Sequence, residues 1–328
     1  PTALRAAWHT AMASLPRVEC TPSTDTADEP ADSSAEQAYA TLTAELQKSG
    51  FDVVAPLRAG WYNDYIRELG LSTDSTAYLQ ASGQRHASGE EAPFALAPLP
   101  DFGRSGDALA ILVGNSRAMW PAFLRWLKAQ KDPDALSDPV DTFAAEAICG
   151  AVDRFAAASA AAAGRKAAVA HDSFWASDMT PARLVDMNRA AHVAGVCYFS
   201  DAMFLSVHPT FGAWVAFRAV VVLDLPASHL RGPPAPLPPL LSDDEAAAAK
   251  AAFDEALRAS AAEELRVDGM PRHLAHKWAA MRDCVRRGRE HRYGARQSEY
   301  HYTKDRSLLA AELAGLEAEE VGMQRSGR

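Results

Sequence analysis

Apolar positions along the chain fall into blocks of two different periods, separated by polar stretches. In AEQAYATLTAELQKSGF, Ala38, Leu42 and Leu46 recur at helical spacing until Gly50, and FDVVAPL then reads as a short strand. GWYNDYIREL reads as a short helix. DALAILVGNS is a compact apolar run, as expected of a strand covered on both faces, and its Gly-Asn-Ser end leads into the helix RAMWPAFLRWLKAQ. Strand followed by helix points to an α/β layer. In DPVD, Asp138 is placed to cap a helix with Pro139 in its first turn, ahead of an alanine-rich helix through Ala163. A further helix is predicted from Pro181 to Gly195, with His192 near its C-terminal end. Two β-like segments follow, AMFLSVHP and GAWVAFRAVVVLDL, and the tight link from His208 to Gly212 predicts a hairpin between them.

The polar blocks set the predicted boundaries. Residues 1–34 read as a disordered or processed extension, because Val18 to Ser34 is rich in Thr, Ser, Asp and Pro and has little to bury. Folding is predicted to span 35–316 as one domain. Two stretches interrupt it: a polar surface insertion at 72–106, long for a structured loop, and a linker at 232–241, GPPAPLPPLL, with five prolines in ten residues. Residues 317–328 read as a disordered tail.

Composition narrows the function classes. With 328 residues and 48% hydrophobic content the chain can bury a substantial core. A net charge of −9 argues against a nucleic-acid partner, which would favour a basic surface. The stretch from Arg272 to Arg306 nevertheless carries ten Lys/Arg against four Asp/Glu, a pattern that by default marks a solvated helix face. Cys20, Cys149, Cys197 and Cys284 show no CxxC spacing, so neither a zinc site nor a disulfide framework is signalled, and a reducing compartment fits. The most apolar segment, WVAFRAVVVLDL, is broken by Arg218, and no membrane partner is expected. The expected location is cytoplasmic. An organelle-targeting leader is the alternative, since PTALRAAWHTAMASLPR carries arginine, alanine and serine without acids.

Candidate chemistry starts from RAAHVAGVCYF, where one histidine sits among small and apolar residues. Such a histidine is more often a hydrogen-bonded core residue than a ligand. Arg218 is a stronger signal, because a charge inside an apolar strand needs either a structural carboxylate or an anionic ligand. Arg282 and Arg306 lie in the basic run, where solvated charge is the default. Trp278, Tyr293 and Tyr300 are flat apolar surfaces that suit either a planar ligand or an ordinary core.

Taken in order, GWYND, DPVD, HVAGVCYF and HPTFGAWVAFRAVVVL resemble the CblC family of cobalamin-processing proteins, over roughly Glu36 to Gly315. The resemblance implies a flavin-nitroreductase-like α/β (α+β) fold, with a central, mostly antiparallel sheet flanked by helices and a C-terminal helical cap. It implies that cobalamin is bound base-off and loses its upper axial ligand, by reductive decyanation of cyanocobalamin and by glutathione-dependent dealkylation of alkylcobalamins. Reduced flavin (FMN or FAD), free or in a flavoprotein reductase partner, is the implied electron source, although no flavin phosphate motif is visible. A downstream cobalamin-trafficking protein is a further implied partner.

The implied cobalamin residues are His192, Gly195, Tyr198, Ser206, Gly212, Ala213 and Trp278. The family's His-x-x-Gly reads His192 to Gly195, and its later glycine pair reads Gly212-Ala213, adding a methyl where a close approach to the corrin is expected. A different cobalamin fold uses Asp-x-His-x-x-Gly to ligate cobalt, but here that aspartate position is Ala190. His192 is therefore expected to line the pocket without ligating, and cobalt to arrive only with cobalamin. No side-chain nucleophile is expected. Arg218, Arg282 and Arg306 match the family's glutathione-binding arginines, whose forks suit two carboxylates and favour an ionised thiol. The alternatives are a nitroreductase-like flavin oxidoreductase without a cobalamin role, and a non-enzymatic cobalamin chaperone for which the proline-rich segment serves as a docking site.

Overall fold

The computed structural model describes residues 32–74, 95–164, 166–261, 263 and 269–326. Most of the predicted extension and residues 75–94 of the predicted insertion lie outside them. In chain order the elements are α1 (Asp32–Lys48), β1 (Val53–Arg58), α2 (Ala59–Glu68), β2 (Ala108–Asn115), α3 (Met119–Lys128), α4 (Pro139–Ala162) and β3 (His171–Trp175). They continue as α5 (Met187–Val193), β4 (Tyr198–Ser200), β5 (Leu205–Val207), β6 (Ala216–Pro226), α6 (Asp243–Ala261), α7 (Arg272–Asp283), α8 (Ala295–Thr303) and α9 (Arg306–Ser326).

The main sheet runs β1-β2-β6-β3 with every neighbour antiparallel, and β4-β5 forms a separate small hairpin. The mixed antiparallel fold agrees with the expected class. The unbroken apolar run of β2 follows from cover on both faces. Leu109, Ile111 and Val113 pack with Leu42, Phe123 and Ile148 of α1, α3 and α4, while Ala110 and Leu112 pack with Tyr62 and Ile66 of α2 and Ala190 of α5. Side chains of period two divide between these two cores. On β6, Val221 and Leu223 face the first core and Val220 and Val222 the second.

The β2–β6 register breaks beside Arg218. Val113 pairs with Ala219 and Gly114 with Phe217, so Arg218 is the extra residue of a bulge. A bulge re-aims the side chains beside it. Phe217 accordingly packs towards the second core, and Arg218 emerges beside Met119, Trp120 and Val140 on the first.

Several expectations need correction. β3 carried no strand signal of its own and exists by pairing with β6. The predicted hairpin does not form between its two segments: β5 pairs with β4, whereas β6 joins the main sheet. The His208–Gly212 link does close on itself through reciprocal backbone bonds of 2.8 and 2.9 Å. The helix predicted from Pro181 starts only at Met187, where the Asp186 carboxylate accepts from the Asn188 and Arg189 amides. The 72–106 stretch is not all surface, since Ser72, Leu96 and Leu99 are buried. α9 carries the chain as helix through Ser326, where a disordered tail is predicted from 317. Cys149 is disulfide-bonded, which its spacing did not signal. Among the described residues no helix is long and apolar enough to cross a membrane.

Candidate functional site

Six of the seven residues expected to hold cobalamin follow one path, from the end of α5 through the β4-β5 hairpin to the 208–213 link, and Trp278 comes from α7. Ser206 Oγ donates to Asn188 Oδ1 at 2.8 Å, tying β5 to α5. His192 is half-buried on the last turn of α5, with its ring 5.8 Å from that of Tyr65. Its Nδ1 is buried without a hydrogen-bond partner. A buried ring nitrogen left unpaired is costly, and a polar group from a ligand would complete it. Gly195 ends the helix at φ +70°, and a Cβ there would lie 2.7 Å from Pro234 Cγ in the proline-rich linker.

Tyr198, Ala213 and Trp278 meet in a third apolar cluster with Val207, Met281 and Val285. Trp278 stands edge-on to Phe253, with centroids 5.9 Å apart, and its indole N–H donates to Ser260 Oγ at 3.2 Å. It packs α7 against α6. Gly212 has φ +59°, and a Cβ there would fall 1.8 Å from the Arg287 carbonyl oxygen. The glycines at 195 and 212 thus admit other parts of this chain. Ala213 is 1% exposed, its methyl packing in the third cluster.

A second locus lies on the opposite face of the sheet from α2 and α5, where the bulge releases Arg218. Arg218 Nε donates to Asn115 Oδ1 at 2.8 Å, and Nη1 stands 3.5 Å from Asp141 Oδ1. Asn115 is fully buried at the end of β2, and Asp141 lies in the first turn of α4. Both expected answers to the buried charge therefore coexist: a structural carboxylate is near, and the guanidinium still opens onto a pocket. Arg218, Asn115, Tyr293, Gln297, His301 and Lys304 supply the pocket's main polar lining, and the enclosed room is about 20 Å³, enough for about one water.

The electrostatics of this pocket follow from burial. Asp138 caps α4 through the Asp141 amide and pairs with Lys304 Nζ at 3.0 Å. Although burial opposes it, Lys304 and the amide together hold the Asp138 carboxyl below its ordinary value. Burial raises the Asp141 carboxyl, and the neighbouring Asp138 charge raises it further. Burial, reinforced by Arg282, Lys304 and Arg218, pushes His301 well below 6.5 and keeps it neutral. The Tyr293 hydroxyl is buried and has no partner.

No family model matches the chain. It is 27% identical over 203 residues to a cyanocobalamin reductase / alkylcobalamin dealkylase of Danio rerio, a match covering 57% of this chain and 64% of that protein. The B12-trafficking protein CblC of C. elegans superposes with a TM-score of 0.54 at 16% identity, over 82% of this chain and 91% of that one. In sequence and in fold the chain is similar to these cobalamin-processing proteins. An epoxyqueuosine reductase bound to a tRNA stem loop overlaps less, with a TM-score of 0.46 at 14% identity, over 80% of this chain and 68% of that one.

The three arginines expected to share a ligand have different neighbours. Only Arg218 lines the pocket. Arg282 Nη1 donates to the carbonyls of Ala213 and Val215 at 3.2 and 3.3 Å, and its guanidinium lies 5.8 Å from the Trp214 ring centroid. Arg306 donates to the carbonyls of Pro133, Asp134 and Ser137, anchoring the loop before α4. Sequence reasoning missed Asn115, His301 and Lys304. Nothing in their local pattern marks them, because the bulge and the turn after α8 bring them together. Tyr293 was seen only as a flat surface, and its orphaned hydroxyl was not legible.

Proposed function

We propose that this protein binds cobalamin base-off and removes its upper axial ligand. The observation that carries the reading is the match to a cyanocobalamin reductase / alkylcobalamin dealkylase, supported by the CblC fold. Displacing the lower benzimidazole lets binding energy make cobalt easier to reduce. In decyanation, one electron enters cob(III)alamin, and cyanide leaves with the bonding pair as cob(II)alamin forms. Reduced flavin, free or delivered by a flavoprotein reductase, supplies that electron. In dealkylation, the glutathione thiolate attacks the cobalt-bound carbon, a sulfur–carbon bond forms, and the cobalt–carbon pair stays on the metal as cob(I)alamin.

Two features support the assignment of roles. The orphaned Nδ1 of His192 suits a hydrogen bond to the amide periphery of the corrin. An external thiol is favoured over a protein nucleophile, because burial pushes the Cys197 thiol up to about 12 and raises that of Cys284 as well. Arg218 is the residue we assign to the thiol's carboxylate.

The test is anaerobic incubation with cyanocobalamin or methylcobalamin, with glutathione or reduced flavin, followed by absorbance. A base-off shift on binding and conversion of at least one substrate are expected. Cobalamin binding without turnover would leave a chaperone, and a protein that takes up no cobalamin would refute the reading.

A further inference from the structure

We propose that Lys304 and the Tyr293 hydroxyl complete, with Arg218, a seat for one carboxylate of the attacking thiol, and that Arg306 is no part of it. The inference deepens the glutathione assignment above and rests on it.

Two cations and no carboxylate line the pocket among the described residues. Asp138 and Asp141 partner those cations from outside the lining, at 3.0 Å from Lys304 and 3.5 Å from Arg218. The 3.5 Å contact is long for a charge-assisted bond, which leaves the Arg218 fork able to turn to a ligand. Tyr293 is only 3% exposed, yet its hydroxyl has no partner, and it lies on the pocket wall. A buried donor without an acceptor is what an incoming carboxylate oxygen would satisfy.

The backbone gives a separate indication. Lys304 ends α8 at φ 55°, in the left-handed conformation where glycine is usual, and its ammonium lines the pocket while reaching Asp138. His301, one turn earlier, meets the rings of Tyr293 and Tyr302 at 5.7 and 4.8 Å. Held neutral by burial, it adds no further positive charge to the pocket but can donate one N–H. Arg306 already donates to three carbonyls, so recruiting it would break the loop before α4.

The experiment uses the full chain with cobalamin bound and measures glutathione affinity by calorimetry, with FMN and riboflavin as a second pair of probes. Lys304→Met is expected to weaken glutathione about tenfold and Tyr293→Phe severalfold, with the base-off spectrum unchanged. Removing the orphaned hydroxyl should leave the melting temperature of Tyr293→Phe equal to or above that of the parent. Arg306→Met should lower the melting temperature and leave glutathione affinity within twofold. Wild-type affinity in Lys304→Met, or an equal loss in Arg306→Met, would overturn the proposal. If the parent protein takes up cobalamin but not glutathione, and Lys304→Met weakens FMN without affecting riboflavin, the oxyanion seat belongs to a flavin phosphate. In that case the thiol assignment fails separately.

Discussion

Replacing Gly212 by alanine tests whether the 208–212 link is built to meet the chain itself. The residue sits at φ +59°, where a side chain costs roughly 1–2 kcal/mol. The new Cβ would also stand 1.8 Å from the Arg287 carbonyl oxygen and 2.8 Å from its carbon, against ordinary contact of 3.4 Å or more. The two loops would have to part by about 1.5 Å, and the opposing Gly288 leaves no slack, since a Cβ there would be 2.3 Å from the Phe211 carbon. Strain and lost packing together put the cost at about 3 kcal/mol or more, at the upper end for a single substitution. For a domain of this size that lowers the melting temperature by roughly 6–12 °C. Thermal unfolding followed by circular dichroism measures it. Ala213→Gly is the control: its buried methyl fills the third cluster, so removing it should cost about 1 kcal/mol with no gain in cobalamin affinity. A Gly212→Ala protein within about 0.5 kcal/mol of the parent, or an Ala213→Gly protein that binds cobalamin more tightly, would refute this account.

Three further outcomes are expected. Arg218→Gln should weaken glutathione by about one to two decades, the worth of roughly 1.5–3 kcal/mol for a lost charge-assisted contact, while flavin-driven decyanation persists; equal losses in both reactions would make Arg218 structural. Burial holds both His208 and His301 below 6.5, so as pH falls the unfolded chain takes up these protons first. Their contribution to stability is therefore full above about 6.5 and is lost below it. Urea midpoints at several pH values should fall on acidification, less steeply in His301→Phe, and an unchanged slope in that variant would count against the buried neutral histidine. Alkylation of the native protein at pH 8 should label Cys284 well before Cys197, whose thiol is pushed up to about 12; peptide mass spectrometry showing the reverse order would contradict the burial argument.

The legible parts of the fold were those whose partners lie nearby in sequence. The DPVD cap is an example, since Asp138 accepts from the Asp141 amide three residues on. β2 was legible because burial on both faces leaves an unbroken apolar run. β3 was not, because HDSFW mixes polar and apolar residues and becomes a strand only by pairing with β6. The failed hairpin has the same origin: the 208–212 turn was read correctly, but which strand its two arms would join is a long-range choice that turn chemistry does not decide. In the loops expected to hold cobalamin, the sequence did not show which parts of the chain the glycines admit. Gly195 makes room for Pro234 and Gly212 for Arg287, contacts that no pattern within either loop announces.

The arginines show how far charge reasoning carries without coordinates. An arginine within WVAFRAVVVL had to be answered by a carboxylate, a ligand or a change of direction, because the desolvation cost admits nothing else. The structure supplies the first and third together: Asp141 stands 3.5 Å away, and the bulge turns the side chain out of the dry layer between sheet and helix. Arg282 and Arg306 carry the same charge but fill no such need, and each spends its donors on backbone carbonyls of loops that must be held. Similar position in a family pattern therefore did not predict similar environment. The second cation at Arg218's pocket is a lysine at the end of α8, brought there by a left-handed turn. If the seat is a carboxylate site, its strength depends on that turn. Lys304→Gly relieves the backbone but also breaks the Asp138 pair, so the ligand and not the melting temperature discriminates: glutathione should weaken, whereas a purely structural lysine would leave its affinity unaffected.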